Sequence, residues 1–171
     1  MNKLISLIVT TTALAAISAD TLAQESDVPP YEMTVLLDQA QGNAIASGSF
    51  ERAIRKLSGS AKTANQHVTL TNLCVAYAKT KQVDSAVQAC DAAIDLLKAK
   101  QADHYSGHPR KASRERVLQS DLSIVLSNRG VLFAVTGDYE RARESFEAAI
   151  ELPANRSKAG QNMQRLTASE S

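Results

Sequence analysis

Apolar residues recur at intervals of three and four through much of the chain, which is the spacing of one face of an α-helix. The first pair of such segments contains Leu70, Leu73 and Tyr77, then Val83, Ala86, Val87, Cys90, Ala93, Ile94 and Leu97. A second pair contains Leu122, Leu126, Gly130 and Phe133, then Tyr139, Ala142, Phe146, Ala149 and Ile150. The pattern predicts two helical hairpins. In the second, Gly137 closes one helix in the left-handed conformation and Asp138 caps the next.

The two hairpins align with each other without a gap. Asn72-Leu73-Cys74 matches Asn128-Arg129-Gly130. Further along, five positions of the first hairpin, Tyr77, Ala86, Cys90 and Ala93-Ile94, match Phe133, Ala142, Phe146 and Ala149-Ile150. Self-similarity of this kind is typical of repeat architectures. On these residues the chain resembles the tetratricopeptide repeat family, whose unit is a pair of antiparallel helices. The resemblance implies an all-α fold, an α-solenoid of about three such hairpins with a C-terminal capping helix.

A weaker upstream unit and an insertion complete the expected domain plan. Ala53, in Ser47-Gly48-Ser49-Phe50-Glu51-Arg52-Ala53-Ile54, precedes Ala86 by 33 residues, close to the family period of about 34. We expect a repeat domain over 34–156, with units at about 34–66, 67–100 and 123–156. About 22 additional residues separate the last two units, which places an insertion at about 101–122. Ala159, Met163 and Leu166 predict a capping helix within 157–171, because a stack of repeats needs its end covered.

The beginning of the chain has the pattern of a secretory signal. Lys3 precedes an apolar run, and Thr21-Leu22-Ala23 is a cleavage pattern of small residues. The sequence predicts a signal peptide over 1–23, with Ile17-Ser18-Ala19 as another cleavage site and an uncleaved membrane anchor as the alternative. An extended lead-in over 24–33 follows, since Pro29-Pro30 cannot continue a helix. We expect an exported protein, periplasmic or secreted, with no membrane association beyond the signal.

Composition and charge narrow the possible functions. Aromatic residues are 4% of the chain and Trp is absent, which favours helix-on-helix packing through small side chains. A formal net charge of +1 provides no field that would attract nucleic acid. The sequence contains no Gly-rich phosphate loop, His-Glu-x-x-His helix or Gly-x-Ser-x-Gly turn. We therefore expect neither catalysis nor a cofactor.

Cys74 and Cys90 are the two cysteines of the chain. In an oxidising compartment an even count suggests pairing. In the repeat geometry that the resemblance implies, they face each other across the two helices of the middle unit. We predict a disulfide there. The alternative is a pair of buried thiols that act as small core residues.

The insertion carries the other candidate groups. His104 and His108 have a spacing that suits metal binding on a helix, but Gly107 and Pro109 favour a turn, so a solvated loop is the preferred interpretation and no metal site is expected. A basic patch follows, formed by Arg110, Lys111, Arg114 and Arg116. It is either a solvated face or a contact for an acidic partner or anionic lipid.

The resemblance also implies a function. Tetratricopeptide proteins are scaffolds in which the first helices of successive units line a groove for a peptide or partner helix. Here the groove-lining residues would be Thr71, Val75, Ala78, Lys79, Ser127, Val131, Ala134 and Val135. Because this surface is largely apolar, we expect an adaptor that binds an apolar peptide or helix. The alternatives are that Val75 and Val131 only pack between units, and that the protein is a self-associating module of the cell envelope.

Overall fold

The chain is all-α. The computed structural model describes residues 31–37, 39–59, 65–102, 109–155 and 157–170, and no β-strand occurs among them. The helices are α1 (Gly42–Ala46), α2 (Phe50–Leu57), α3 (Gln66–Lys79), α4 (Val83–Ala102), α5 (Pro109–Val135), α6 (Tyr139–Ile150) and α7 (Ala159–Ser169). The predicted all-α class is therefore confirmed for these residues. The predicted signal peptide, His104 and His108 lie outside the described residues.

Helices adjacent in the chain pack on one another. The most extensive contacts join α3 to α4 and α5 to α6; α4 also packs on α5, and α7 covers both α6 and α5. The predicted apolar faces form most of one core, which includes Leu73, Leu97, Leu126, Phe146 and Leu166. Three residues of the predicted apolar faces are instead exposed, namely Val83, Tyr139 and Ile150. Each lies at the first or last position of its helix, where the helix face has left the neighbouring helix.

Matched positions of the two hairpins hold the helices together by different means. At Gly130 on α5, an added Cβ would lie 2.5 Å from the Phe146 ring on α6, so only glycine allows the two helices to approach this closely. The matching residues on α3 and α4 are Cys74 and Cys90. Their Sγ atoms are 1.98 Å apart and their Cα atoms 5.2 Å apart, which is the predicted disulfide. One crossing thus relies on a glycine and a phenyl ring, and the other on a covalent bond.

Helix α5 is longer than the predicted first helix of the last unit. Its 27 residues, about 40 Å of helix, run continuously from the expected insertion into that unit. It begins at Pro109, a residue favoured in the first helical position because it lacks an N–H group. Buried His67 fixes α5 against its neighbours: its Nε2 lies 3.2 Å from Asp121 on α5 and its Nδ1 lies 3.0 Å from Lys100 on α4.

The structure differs from the expected first unit at the N-terminal end. Residues 31–36 are extended, and α1 is a single short turn of helix in place of the expected first helix of the unit. Before α1 the chain reverses through Ala40 (φ 45°) and Gln41 (φ 58°), two consecutive left-handed residues that are not glycine. A helix cannot pass through that conformation, so the unit lacks its first long helix and the preceding chain is directed across the other helices.

Candidate functional site: an asparagine ladder on an extended segment

The extended segment lies across three helices and is held through its main chain. We call residues 31–36 the N-terminal arm, and Asn72 on α3, Asn128 on α5 and Asn162 on α7 the asparagine ladder. Each ladder residue contacts one alternate residue of the arm: Asn162 binds Glu32, Asn128 binds Thr34 and Asn72 binds Leu36. The arm therefore runs from the last helix of the fold towards the earliest of the three.

Each contact uses both polar groups of one arm residue. The Thr34 N–H donates to Oδ1 of Asn128 at 2.7 Å, while Nδ2 of Asn128 donates to the Thr34 carbonyl at 2.8 Å. The same pair of bonds joins Glu32 to Asn162, at 3.0 and 2.8 Å, and Leu36 to Asn72, at 2.9 Å each. In an extended chain, N–H and C=O of one residue point to the same side, and residues two apart share that side. The ladder therefore matches the two-residue repeat of an extended chain.

The ladder amides are shielded from water, which would otherwise compete for their hydrogen bonds. All three asparagine side chains are 0% exposed when the arm is in place. Nδ2 of Asn72 also donates to the carbonyls of Gln39 and Ala40, at 3.2 and 3.1 Å. That contact binds the left-handed turn through which the arm joins α1. The arm main chain thus satisfies both ends of each buried amide.

Side chains of the arm alternate in environment. Tyr31, Met33 and Val35 are partly buried and pack against the core cluster, which includes Val75 and Val131. Leu37, just beyond the arm, is half exposed. The odd-numbered side chains of the arm thus pack against the core cluster, while its even-numbered residues bind the ladder through the main chain.

Glu32 adds an ionic contact at the α7 end of the ladder. Its Oε1 accepts from Arg165 Nη2 at 2.6 Å, and its Oε2 lies 3.6 Å from Lys158 Nζ. Arg165 also donates through Nη1 to Oδ1 of Asn162 at 3.1 Å, so one guanidinium joins the carboxylate to the ladder. The hydrogen bond from Arg165, followed by the charge of Lys158, lowers the pKa of the Glu32 carboxyl below its ordinary value.

The eight groove-lining residues predicted from the sequence fall into two groups. Five are buried in this structure: Thr71, Val75, Ser127, Val131 and Ala134. Ala78 is half-buried, whereas Lys79 and Val135 are exposed. Val75 and Val131 follow Asn72 and Asn128 by three positions, which places each pair on one helix face. Of the predicted residues, Val75 and Val131 therefore border the ladder.

The predicted basic patch lies elsewhere. Arg110 and Lys111 belong to the first turn of α5, and Arg114 and Arg116 are exposed on its next turns. Arg116 borders an open surface cavity of about 510 Å³ between α5 and the loop after α6, with Asp121 and Asn155 also in its lining. Among the described residues, the cations at the α7 end of the ladder are Arg165 and Lys158, which are not part of this patch.

The ladder was missed in the sequence interpretation, although a signal was present. Asn72 and Asn128 occupy matched positions of the aligned hairpins, and Asn162 comes 34 residues after Asn128. An amide recurring at the repeat period on a buried helix face is unusual enough to indicate a shared role. Periodicity alone assigns no partner to it, and Asn162 lies in a segment interpreted only as a cap.

Two other features are absent from the described ranges. They contain no cluster of three or more His, Cys, Asp or Glu residues arranged to hold a metal ion. No helix in those ranges is long and apolar enough to cross a membrane. Comparison of the chain with protein-family models, curated proteins and solved structures gave no match.

Proposed function

We propose that this protein is an exported interaction module of the tetratricopeptide type whose groove binds an extended segment of a partner protein. The observation that carries the proposal is the asparagine ladder, which binds both main-chain groups of three alternate residues. Such contacts are independent of side-chain identity, so another extended segment can form them equally well. Here the arm acts as an intramolecular occupant of the groove. An extended ligand agrees with this geometry better than the helix that the sequence also suggested.

Two further observations support the parts of this proposal. The close crossing at Gly130 and Phe146 and the Cys74–Cys90 pair occupy matched positions, as expected of repeated helical hairpins. A disulfide favours an oxidising compartment, which agrees with export to a periplasm or outside the cell. The role is that of a scaffold or adaptor.

Displacement of the arm tests the proposal. Thr34→Pro removes the N–H that donates to Asn128 while leaving every groove side chain in place. We expect the full chain with this change to bind a fluorescein-labelled peptide of residues 31–37, measured by anisotropy. We expect Thr34→Pro combined with Asn128→Ala to bind it at least about tenfold more weakly, since two buried hydrogen bonds are lost.

A control and a second measurement make the test decisive. Circular dichroism is used to check that both variants are folded. Gln161→Ala, at an exposed neighbour of Asn162, is the control and should leave peptide binding unchanged. In the unmodified chain, excess peptide is expected to shift the NMR signal of the Thr34 amide as the arm leaves the groove. If the folded Thr34→Pro chain binds no peptide and the Thr34 signal never moves, the proposal is wrong.

Self-association is the second candidate function. The arm joins α1 through Ala40 and Gln41, whose left-handed conformations are unfavourable for residues other than glycine. Exchange of arms between two copies would keep the ladder contacts to Glu32, Thr34 and Leu36 while opening this turn. Light scattering after size exclusion would then show a dimer whose fraction rises with concentration. Ala40→Gly, which relieves the turn, would lower that fraction.

A further inference from the structure

We propose that the groove selects an extended partner segment with a carboxylate at one defined position, read by Arg165 and Lys158. From its N-terminal end on α7 towards α3, the partner segment has five successive positions. They are an apolar residue, an acidic residue, an apolar residue, any residue and an apolar residue. This inference rests on the proposed function and specifies the chemistry of the partner. The arm, Tyr31-Glu32-Met33-Thr34-Val35-Leu36, is the template from which the pattern is derived.

The acidic position stands out when the three ladder positions are compared. Thr34 and Leu36 bind the ladder through main-chain atoms, and their side chains make no hydrogen bond or ion pair within the described part of the chain. Glu32 makes the same main-chain contacts and also binds Arg165 and Lys158. Side-chain selectivity at the ladder is therefore concentrated at the position of Asn162.

Arg165 is positioned to distinguish an acid from other side chains. Its side chain is 16% exposed, and its guanidinium is oriented by the second bond to Asn162. A guanidinium fixed in this way binds a carboxylate without a large further loss of conformational entropy. A lysine at the same position of a ligand would place a third cation beside Arg165 and Lys158. Attraction for acids and repulsion of bases together provide the selectivity.

The apolar positions and the direction follow from the same geometry. Tyr31, Met33 and Val35 pack against the core cluster, so the residues flanking the acid and the next odd position must be apolar. With the carboxylate subsite on α7 and the remaining ladder contacts on α5 and α3, a ligand is bound in one direction only. In the opposite direction the acid would lie near Asn72, away from Arg165.

The test uses the full chain carrying Thr34→Pro and four labelled peptides. The probes are Tyr-Glu-Met-Thr-Val-Leu-Leu, the same peptide with Gln or Lys in place of Glu, and the peptide with its order reversed. We expect the Glu peptide to bind about three- to tenfold more tightly than the Gln peptide, and the Lys and reversed peptides to bind more weakly still. Arg165→Glu is expected to reverse the preference between the Glu and Lys peptides.

A second readout uses the full chain without the Thr34→Pro change and without any added peptide. Glu32→Lys is expected to increase hydrogen exchange at the Thr34 amide about tenfold or more, as the arm opens more often. Combining Glu32→Lys with Arg165→Glu is expected to restore most of the protection. If each substitution only disturbed the structure locally, the losses of protection at the Thr34 amide would add in the double variant, and protection would not be restored.

The outcomes separate this inference from the proposed function. Equal affinity for the Glu, Gln and Lys peptides, with no reversal in Arg165→Glu, would overturn the carboxylate subsite and leave a groove that binds extended chains. Equal affinity for the reversed peptide would overturn the direction. Absence of binding by every peptide would remove the proposed function itself. If the arm of a second copy outcompetes the Glu peptide at equal concentration, the occupant is another copy and the inferred separate partner is wrong.

Discussion

Asn128 binds Thr34 across 94 positions of the sequence, with one amide group satisfying both the N–H and the carbonyl of the same residue. The central contact of the arm therefore depends on a single side chain.

Asn128→Ala should detach the centre of the arm. Two hydrogen bonds are lost and the Thr34 main chain must be resolvated, so we expect the free energy of unfolding to fall by about 2 kcal/mol. Urea denaturation measures this loss, and hydrogen exchange at the Thr34 amide should rise with it. Gln161→Ala, exposed on α7, should change neither quantity. Unchanged exchange at Thr34 in Asn128→Ala would show that the ladder does not hold the arm.

Gly130→Ala should destabilise the crossing of α5 with α6. The new Cβ would lie 2.5 Å from the buried Phe146 ring. The cost of overpacking exceeds the gain of about 1 kcal/mol that alanine brings to a helix, so we expect a net loss of about 1–2 kcal/mol.

Gly160→Ala on α7 is the matched control because nothing lies within 4 Å of its added Cβ. It should be neutral or raise the free energy of unfolding by up to about 1 kcal/mol. Thermal or urea unfolding of both variants gives the comparison. The same sign of change in both variants would refute the packing argument.

Reduction should destabilise the protein through the Cys74–Cys90 bond. The bond closes a loop between residues 16 apart, for which chain entropy predicts a loss of about 3 kcal/mol when it is broken. The free energy of unfolding should fall by that amount in the presence of a phosphine reductant. Cys74→Ala combined with Cys90→Ala should unfold identically with and without reductant. Uptake of two alkyl groups by the unfolded, unreduced protein would mean that the cysteines are free thiols.

Acid should weaken the attachment of Glu32. Its pKa in the folded protein is lowered by the hydrogen bond from Arg165 and by the charge of Lys158, relative to an ordinary value of 4.5. The carboxylate therefore contributes stability that is complete above about pH 4.5 and is lost as the pH falls through the lowered pKa.

Comparison with Glu32→Gln isolates this effect, because glutamine keeps an acceptor but does not titrate. The difference in the free energy of unfolding between wild type and Glu32→Gln should be largest near pH 6 and shrink as the solution is acidified. Since Glu32 is partly exposed, the difference should also shrink in 0.5 M salt. A difference that stays constant from pH 6 to pH 3 would contradict the ion pair.

The sequence by itself determined the helical segments and their pairing in the two hairpins. Spacings of three and four residues are local properties, and they were sufficient to place Leu73 and Phe146 in the core and to match Gly130 with Cys74. The pairing of Cys74 with Cys90 was predicted from their even count and from the repeat geometry that the resemblance implies. The exposure of Val83 and Tyr139 at the ends of the apolar faces could not be predicted from the spacing, because periodicity does not show where a neighbouring helix ends.

Only the tertiary structure decided where the N-terminal arm lies and what the asparagines do. The bonds of Asn128 to Thr34 and of Asn162 to Glu32 join residues 94 and 130 positions apart. No local pattern relates such residues, and main-chain hydrogen bonds leave no preference in the side chains they hold. A buried asparagine is costly until a partner satisfies it. Only the tertiary structure identifies that partner, because the packing of α3, α5 and α7 aligns the three amides with the extended arm.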